Sequence, residues 1–248
     1  MSRPHYDSFT DFEKSRAPKA SAFARQALAT TEPWLATPLA ELSVLDVGSG
    51  YGHTAIELAK RCREVLGLEP MTELHDRAVA LAAEVPNVSF RLGGVEDLSD
   101  VERYDLILLD NVYEHLPNQQ LALDRVTAAL RPGGVLYLLV PNRLWPIEAH
   151  YRLPFLAWLP LPVANWYLRR SGRGHDYTDA SYAPTYWSLE RELNRRPELE
   201  WSMTVPGDPT ATKAGAPIHY RVGIGVLKRV PALWAISKAL LVVARKRT

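Results

Sequence analysis

The run Val44-Leu45-Asp46-Val47-Gly48-Ser49-Gly50-Tyr51-Gly52 constrains the fold more than any other part of the chain. Val44 to Val47 is a β-branched and aliphatic run, interrupted by Asp46 alone, of the kind that a parallel strand covered on both faces needs. The alternating glycines let the backbone turn sharply and approach a ligand closely, because they tolerate positive φ and carry no Cβ. From His53 to Arg61 the sequence reads as a helix whose free N–H groups face that turn. Asp46 is placed to order the turn or to reach a cationic group of the ligand.

The same logic repeats downstream. Glu64 to Glu69 reads as a second strand, so Glu69 falls at a strand end about twenty residues after the turn, where a carboxylate accepts hydrogen bonds from two ribose hydroxyls. Val88 to Leu92 reads as a third strand ending in the polar turn Gly93-Gly94-Val95-Glu96-Asp97, where an adenine ring can lie. A fourth strand, Tyr104 to Asp110, leads into Asn111-Val112-Tyr113-Glu114-His115, and a helix runs from about Asn118 to Leu130. It is broken by Arg131-Pro132-Gly133-Gly134 before a fifth strand, Val135 to Val140. Strands alternating with helices over residues 40–142 call for an open parallel α/β sheet with its ligand outside the carboxyl ends of the strands.

With LDVGSGYG at 45–52, LGLEP at 66–70, GGVEDL at 93–98, YDLILLDNVYEHLP at 104–117 and LRPGGVLYLLVPN at 130–142, the chain resembles the class I S-adenosylmethionine-dependent methyltransferases that act on small molecules. Nicotinamide-dependent dehydrogenases share the strand, turn and acidic residue, but their fingerprint is G-x-G-x-x-G rather than the G-x-G-x-G found here. The resemblance implies that Asp46, Gly48, Ser49, Gly50 and Gly52 surround the methionine part of the cofactor and that Glu69 binds ribose. It also implies that Pro70 and Met71 flank the adenosine, that Val95 and Glu96 border the adenine, and that Asp110 and Asn111 lie beneath the sulfonium. The fold expected is α/β, a seven-stranded, mostly parallel Rossmann-like sheet with helices on both faces and an aromatic lid insertion.

Composition fits this reading. With 47% hydrophobic residues over 248 positions the chain can bury a full core, and a formal net charge of +1 argues against a nucleic-acid groove. Cys62 is the single cysteine, which excludes an intrachain disulfide and a cysteine-based zinc site. The N-terminal sixteen residues lack the apolar core of a signal peptide, so a cytoplasmic location is expected. Residues 1–40 are expected to form a helical cap carrying Phe9, Phe12, Phe23, Leu28 and Trp34, with Tyr6 and Arg16 near the ligand. Residues 41–142 and 187–230 are assigned to the cofactor domain, and 143–186 to an aromatic, proline-rich lid that builds the acceptor pocket. Prolines and Arg152, Arg169 and Arg170 exclude a transmembrane helix there, while peripheral membrane contact stays open.

Two clusters can serve catalysis. In Glu148-Ala149-His150, the imidazole can take the proton of an attacking hydroxyl while Glu148 orients it. His115, beside Glu114, is a further catalytic candidate. Related ubiquinone-pathway O-methyltransferases hold a divalent metal near this position, so Asp110, Glu114 and His115 are the expected ligands of Mg2+ or another divalent cation. Asn111, standing where the family's first carboxylate would be, departs from that pattern. His175 and Asp176 are lesser candidates for the substrate side.

Toward the C-terminus, Ser188 to Arg196 reads as a helix, Leu199 to Val205 as a sixth strand and Tyr220 to Leu227 as a seventh. Residues 231–248 are read as an apolar helix with a basic end, suited to a second subunit or a membrane surface. The expected activity is methylation of a small-molecule hydroxyl, with a sugar or glycoside favoured and an aromatic, quinone or other natural-product acceptor as the alternative. A nicotinamide-dependent oxidoreductase and a non-catalytic cofactor-binding protein are the readings from other classes. A homodimer is open.

Overall fold

In a computed structural model, residues 17–207 and 230–248 are described. Strand β1 (Ser43–Val47) is buried at all five positions, which requires cover on both faces. It lies between β2 (Glu64–Glu69) and β4 (Tyr104–Asp110), and both neighbours are parallel to it. With β3 (Val88–Leu92), β5 (Leu130–Pro141), β6 (Leu199–Thr204) and β7 (Ala239–Lys246), the sheet order is β3-β2-β1-β4-β5-β7-β6. The order reverses beside β1, so a crevice opens at the carboxyl ends of β1 and β4.

Strand alternation sends successive side chains to opposite faces, and the two cores follow it. Leu45, Val47, Leu68, Ile107, Leu109 and Leu138 meet Leu123 and Val126 of a helix at Gln119–Ala129, and Leu189 and Leu193 of another at Tyr186–Asn194. On the other face, Val44, Val65, Leu106, Leu108 and Tyr137 meet Ala24, Ala27 and Leu28 of a helix at Ala20–Thr31, together with Ala55 and Leu58 of a helix at His53–Ala59. In chain order these are α1 (Ala20–Thr31), α2 (His53–Ala59), α3 (Thr72–Leu81), α4 (Gln119–Ala129), α5 (Leu161–Arg170) and α6 (Tyr186–Asn194). Helix α1 therefore belongs to the layer that covers the sheet. Phe9, Phe12, Tyr6 and Arg16 lie outside the described residues.

Cys62 sits in the same face as α2, buried, with its thiol pushed up to about 11 by that burial. Beside it, Asn87 Nδ2 donates to the carbonyl oxygens of Ala59 and Cys62 at 2.8 and 3.1 Å, tying the loop before β3 to the end of α2.

The expected helix at 231–248 is corrected by the structure. A 3-10 turn at Pro231–Ile236 is followed by β7, which runs antiparallel to both β5 and β6. Leu240, Val242 and Ala244 enter one core while Leu241 and Val243 enter the other. A strand buried on both faces reads as a continuous apolar run, which periodicity cannot tell from a buried helix. The basic residues serve the sheet edge, since Arg245 pairs with Glu200 at 2.6 Å and Lys246 donates to the Leu130 carbonyl at 2.9 Å. The seventh strand is thus Ala239–Lys246, and the expected one at 220–227 lies outside the described residues. Arg131-Pro132-Gly133-Gly134 falls inside β5 as an irregularity, with Gly133 at φ 78° and a register shift opposite Tyr104.

Residues 143–186 hold a small core of their own, in which Tyr151, Leu153, Leu156, Ala164, Leu168 and Tyr177 pack together.

Candidate active site

The carboxyl ends of β1, β2, β3, β4 and β5 bring the predicted residues to one edge of the sheet. In the turn after β1, Gly48, Gly50 and Gly52 take φ of 67°, 56° and 75°. A Cβ on Gly52 would lie 2.4 Å from the Phe90 ring, and one on Gly48 would lie 2.5 Å from a Val112 methyl. The turn is pinned to β2 by Gly48 N–H and Ser49 N–H, which donate to the Leu68 carbonyl at 2.7 and 3.2 Å. Asp46 and Ser49 are buried beneath it.

Glu69, 3% exposed, closes the turn from the side. Its Oε2 accepts from Gly50 N–H and its Oε1 from Met71 N–H, each at 2.9 Å. Burial raises its pKa, and the two backbone donors work against that shift. Each oxygen of a carboxylate has a second lone pair to offer. Pro70 is exposed and Met71 partly so. Val95 is buried while Glu96 is exposed, at the turn where Gly94 N–H donates to Asp97 Oδ2 at 3.0 Å. Asn111, at φ 57°, donates from Nδ2 to Asp110 Oδ1 at 2.6 Å. Thus the predicted cofactor residues converge, and Phe90, Gly67 and Val112 join them. A Cβ on Gly67 would also meet the Phe90 ring, at 2.4 Å. Phe90 was missed because an aromatic on a strand carries no signal beyond packing.

The second half of the site is built around Glu114. It lies in a 3-10 turn after β4, is fully buried, and neither carboxylate oxygen accepts a hydrogen bond from another residue. Burial pushes its carboxyl up to about 7, against the pull of His150. The Nε2 atoms of His115 and His150 each lie 3.9 Å from Glu114 Oε1.

Both imidazoles are oriented from behind. His115 Nδ1 lies 2.9 Å from the Asp179 carbonyl oxygen, which can only accept, so Nδ1 carries the hydrogen. His150 Nδ1 lies 2.8 Å from Glu148 Oε1, while Glu148 Oε2 accepts from the backbone N–H groups of His150 and Tyr151 at 2.8 and 2.6 Å. In each ring when neutral, the lone pair then sits on Nε2, the atom 3.9 Å from Glu114 Oε1. Burial works against charging His150, and the hydrogen bond and charge of Glu148, with Glu114, outweigh it and raise the pKa.

The atoms offered by Glu114, His115 and His150 all lie within 4.8 Å of one another. Of the expected trio of Asp110, Glu114 and His115, the structure groups Glu114 and His115 with His150. Asp110 is turned to Asn111 instead. Glu148 orients His150 as expected. His175 and Asp176 stand apart and exposed, with Asp176 Oδ1 capping Thr178 at 2.6 and 3.0 Å. The role of Asp179 was not legible, since a backbone carbonyl 64 positions from His115 leaves no mark in sequence.

Residues 16–182 match the methyltransferase domain family. The chain belongs to the class I methyltransferases that use S-adenosylmethionine. It is 31% identical to the ubiquinone biosynthesis O-methyltransferase of Nitrobacter winogradskyi over 178 residues, covering 63% of this chain and 67% of that protein. Identity to the protein of the same name from Paramagnetospirillum magneticum is 35% over 141 residues, or 53% of this methyltransferase and 55% of the relative. Against several such relatives the match spans only about half of their length, 52% in two from Bradyrhizobium. Among solved structures, the plantazolicin methyltransferase BpumL in complex with S-adenosylhomocysteine (SAH) superposes with a TM-score of 0.61 at 17% identity, covering 98% of this chain and 90% of that one. YcgJ of Bacillus subtilis gives 0.58 at 19% identity, covering 90% and 99%. These likenesses establish the fold. Among the described residues no helix is long and apolar enough to cross a membrane.

Proposed function

We propose that this methyltransferase transfers the methyl group to a hydroxyl on an aromatic ring of the quinol type, with a divalent cation held by Glu114, His115 and His150. The observation that carries the reading is Glu114: a buried carboxylate with no hydrogen-bond donor from another residue, with two imidazole Nε2 atoms 3.9 Å away. An uncompensated buried charge is costly, and a cation among three such groups removes that cost. The donor set fits a metal, because each histidine is held through Nδ1 by a carbonyl or carboxylate, the second layer that ligating histidines need. Two imidazoles favour a transition ion such as Mn2+, Fe2+ or Zn2+ over Mg2+.

In the cofactor half, Glu69 accepts from the ribose hydroxyls while the glycine turn gives the methionine portion a close backbone approach. Asp46, Asp110 and Asn111 lie around the sulfonium. Methyl transfer is an in-line displacement. The acceptor oxygen forms a bond to the methyl carbon as the carbon–sulfur bond breaks with its electron pair going to sulfur, and the hydroxyl proton leaves for solvent. The chain's part is alignment, which alone supplies several kcal/mol of barrier lowering. A bound divalent cation contributes by lowering the pKa of a hydroxyl it touches.

The relatives named for ubiquinone biosynthesis support the quinol acceptor, and the aromatic 143–186 segment suits a flat ring. A sugar or glycoside acceptor, the favoured expectation from sequence, has no such support. The oriented Glu148–His150 pair favours one second reading, in which His150 Nε2 is a metal-free general base.

The test is turnover of an ortho-dihydroxylated aromatic with and without chelator, read by mass spectrometry. Chelation should abolish methylation and Mn2+ should restore it. Turnover unaffected by chelator, yet lost in His150→Ala, selects the base reading instead. Methylation of glycosides alone sinks the quinol proposal.

A further inference from the structure

The 3-10 turn that carries Glu114 and His115 meets a second 3-10 turn, Thr178–Ala180, near the far end of the 143–186 segment. Two side chains fasten the second region to the first. His115 reaches the Asp179 carbonyl through Nδ1 at 2.9 Å. Gln119 reaches further along, its Nε2 donating to the Tyr182 carbonyl at 2.7 Å and back to the Tyr113 carbonyl at 2.9 Å.

Both sides of this joint are held rigid. Gln119 is the first residue of α4, and Asn118 Oδ1 caps that helix by accepting from Leu121 N–H at 3.1 Å, so the backbone beneath the amide is fixed. A carboxamide has two N–H donors, and Gln119 spends them on one carbonyl of each region. In the receiving turn, Asp176 Oδ1 accepts from the N–H and the hydroxyl of Thr178 at 3.0 and 2.6 Å, and Ser181 Oγ donates to the Thr178 carbonyl at 2.7 Å. The Tyr177 and Thr178 carbonyls accept from Ala180 N–H and Ser181 N–H, each at 3.2 Å. Asp179 has the next carbonyl in line, where a helical turn runs out of its own donors, and His115 supplies the donor from outside. Tyr182 stands three residues beyond Asp179, so the bond from Gln119 sets where that carbonyl points.

We infer that Gln119 is a positioning residue of the site: by fastening Tyr182 to the turn of Glu114, it holds the Asp179 carbonyl where it keeps the hydrogen of the neutral His115 ring on Nδ1 and the lone pair on Nε2. Which nitrogen of an imidazole can bind a cation is set by the hydrogen bond that the other one makes. If the carbonyl withdraws, the hydrogen can move to Nε2 and close the nitrogen that Glu114 and His150 share. The consequence for a bound cation rests on the function proposed above, whereas the consequence for the tautomer does not.

The test is nitrogen NMR of the His115 imidazole in the full-length protein, beside calorimetric titrations with Mn2+ and with SAH. The neutral ring of the unaltered protein should read as the Nδ1–H form. Gln119→Glu keeps the shape of the side chain, but once ionised it has no donor and sets a charge against two carbonyl oxygens. It should release the ring to a mixture of tautomers and weaken Mn2+ binding about tenfold. Unchanged SAH affinity shows that the fold and the cofactor half are intact. Gln119→Lys, which regains donors for both carbonyls, should return the ring to the Nδ1–H form. A ring that stays in that form in Gln119→Glu overturns the inference, and so does the same loss in both variants, since then any change at this position disturbs the turn. If the unaltered protein ignores Mn2+, the cation reading falls alone, and the His115 tautomer in Gln119→Glu still decides for or against Gln119.

Discussion

Glu69 and Glu114 are both buried carboxylates at the carboxyl end of a strand, and they differ in what the chain gives them. Glu69 receives one backbone donor from the glycine turn and another from the residue before α3. Glu114 receives none from another residue and instead faces two histidine nitrogens. The first environment is completed by the backbone and can be ready before any ligand arrives. The second is completed by side chains from two distant segments, and its charge is balanced by a proton on His150 or by a cation among the three groups. One half of the site is therefore a preformed cradle and the other a socket.

The sharpest way to break this contrast is Glu69→Ala, which removes the brace of the turn together with the ribose acceptor. SAH affinity should fall about a hundredfold, as two charge-assisted hydrogen bonds are lost. Titration calorimetry showing a loss under threefold would mean that Glu69 only shapes the fold. Next in size is the turn itself. Gly52→Ala forces a side chain into positive φ and against Phe90, at a cost of about 2–4 kcal/mol. Gly67→Ala meets the same ring without the φ penalty and should cost about 1–3 kcal/mol. Thermal melts that rank them the other way would put the strain elsewhere.

The socket should respond in the opposite direction. In metal-free protein above about pH 7, where Glu114 is ionised, Glu114→Gln removes a buried charge and should raise the melting temperature by about 2–4 °C, while abolishing the rise that Mn2+ gives the unaltered protein. A lower melting temperature, with the Mn2+ response retained, would take Glu114 out of the cation site. The smallest effect belongs to His150→Ala on the cradle: SAH affinity should stay within about twofold even as turnover falls about 10²-fold or more.

The same contrast explains what could be read from sequence. The glycine turn, Glu69 and the five alternating strands announce themselves locally, through spacing, strand ends and chain direction. Glu114, His115, Glu148 and His150 could be named one by one as reactive types, but their meeting depends on how the chain returns after β5. Hence Asp110 is the partner that sequence offers to Glu114 and His115, and His150 is the one that the fold adds. Strand β7 failed for another reason: with both faces buried, Leu240 to Ala244 has no alternation left to show. Its neighbours, and not its own pattern, decide that it is a strand.

Cys62 gives the molecule a clock. It is the single thiol of the chain, it lies 5% exposed among Ala55, Leu58 and Val65, and its pKa near 11 leaves almost no thiolate at neutral pH. A thiol reagent can therefore mark the protein only when the α2 layer lifts from the sheet. The labelling rate becomes a direct count of those openings, read just beyond the end of α2 that lies away from the glycine turn, and it should slow when SAH braces the turn that leads into α2.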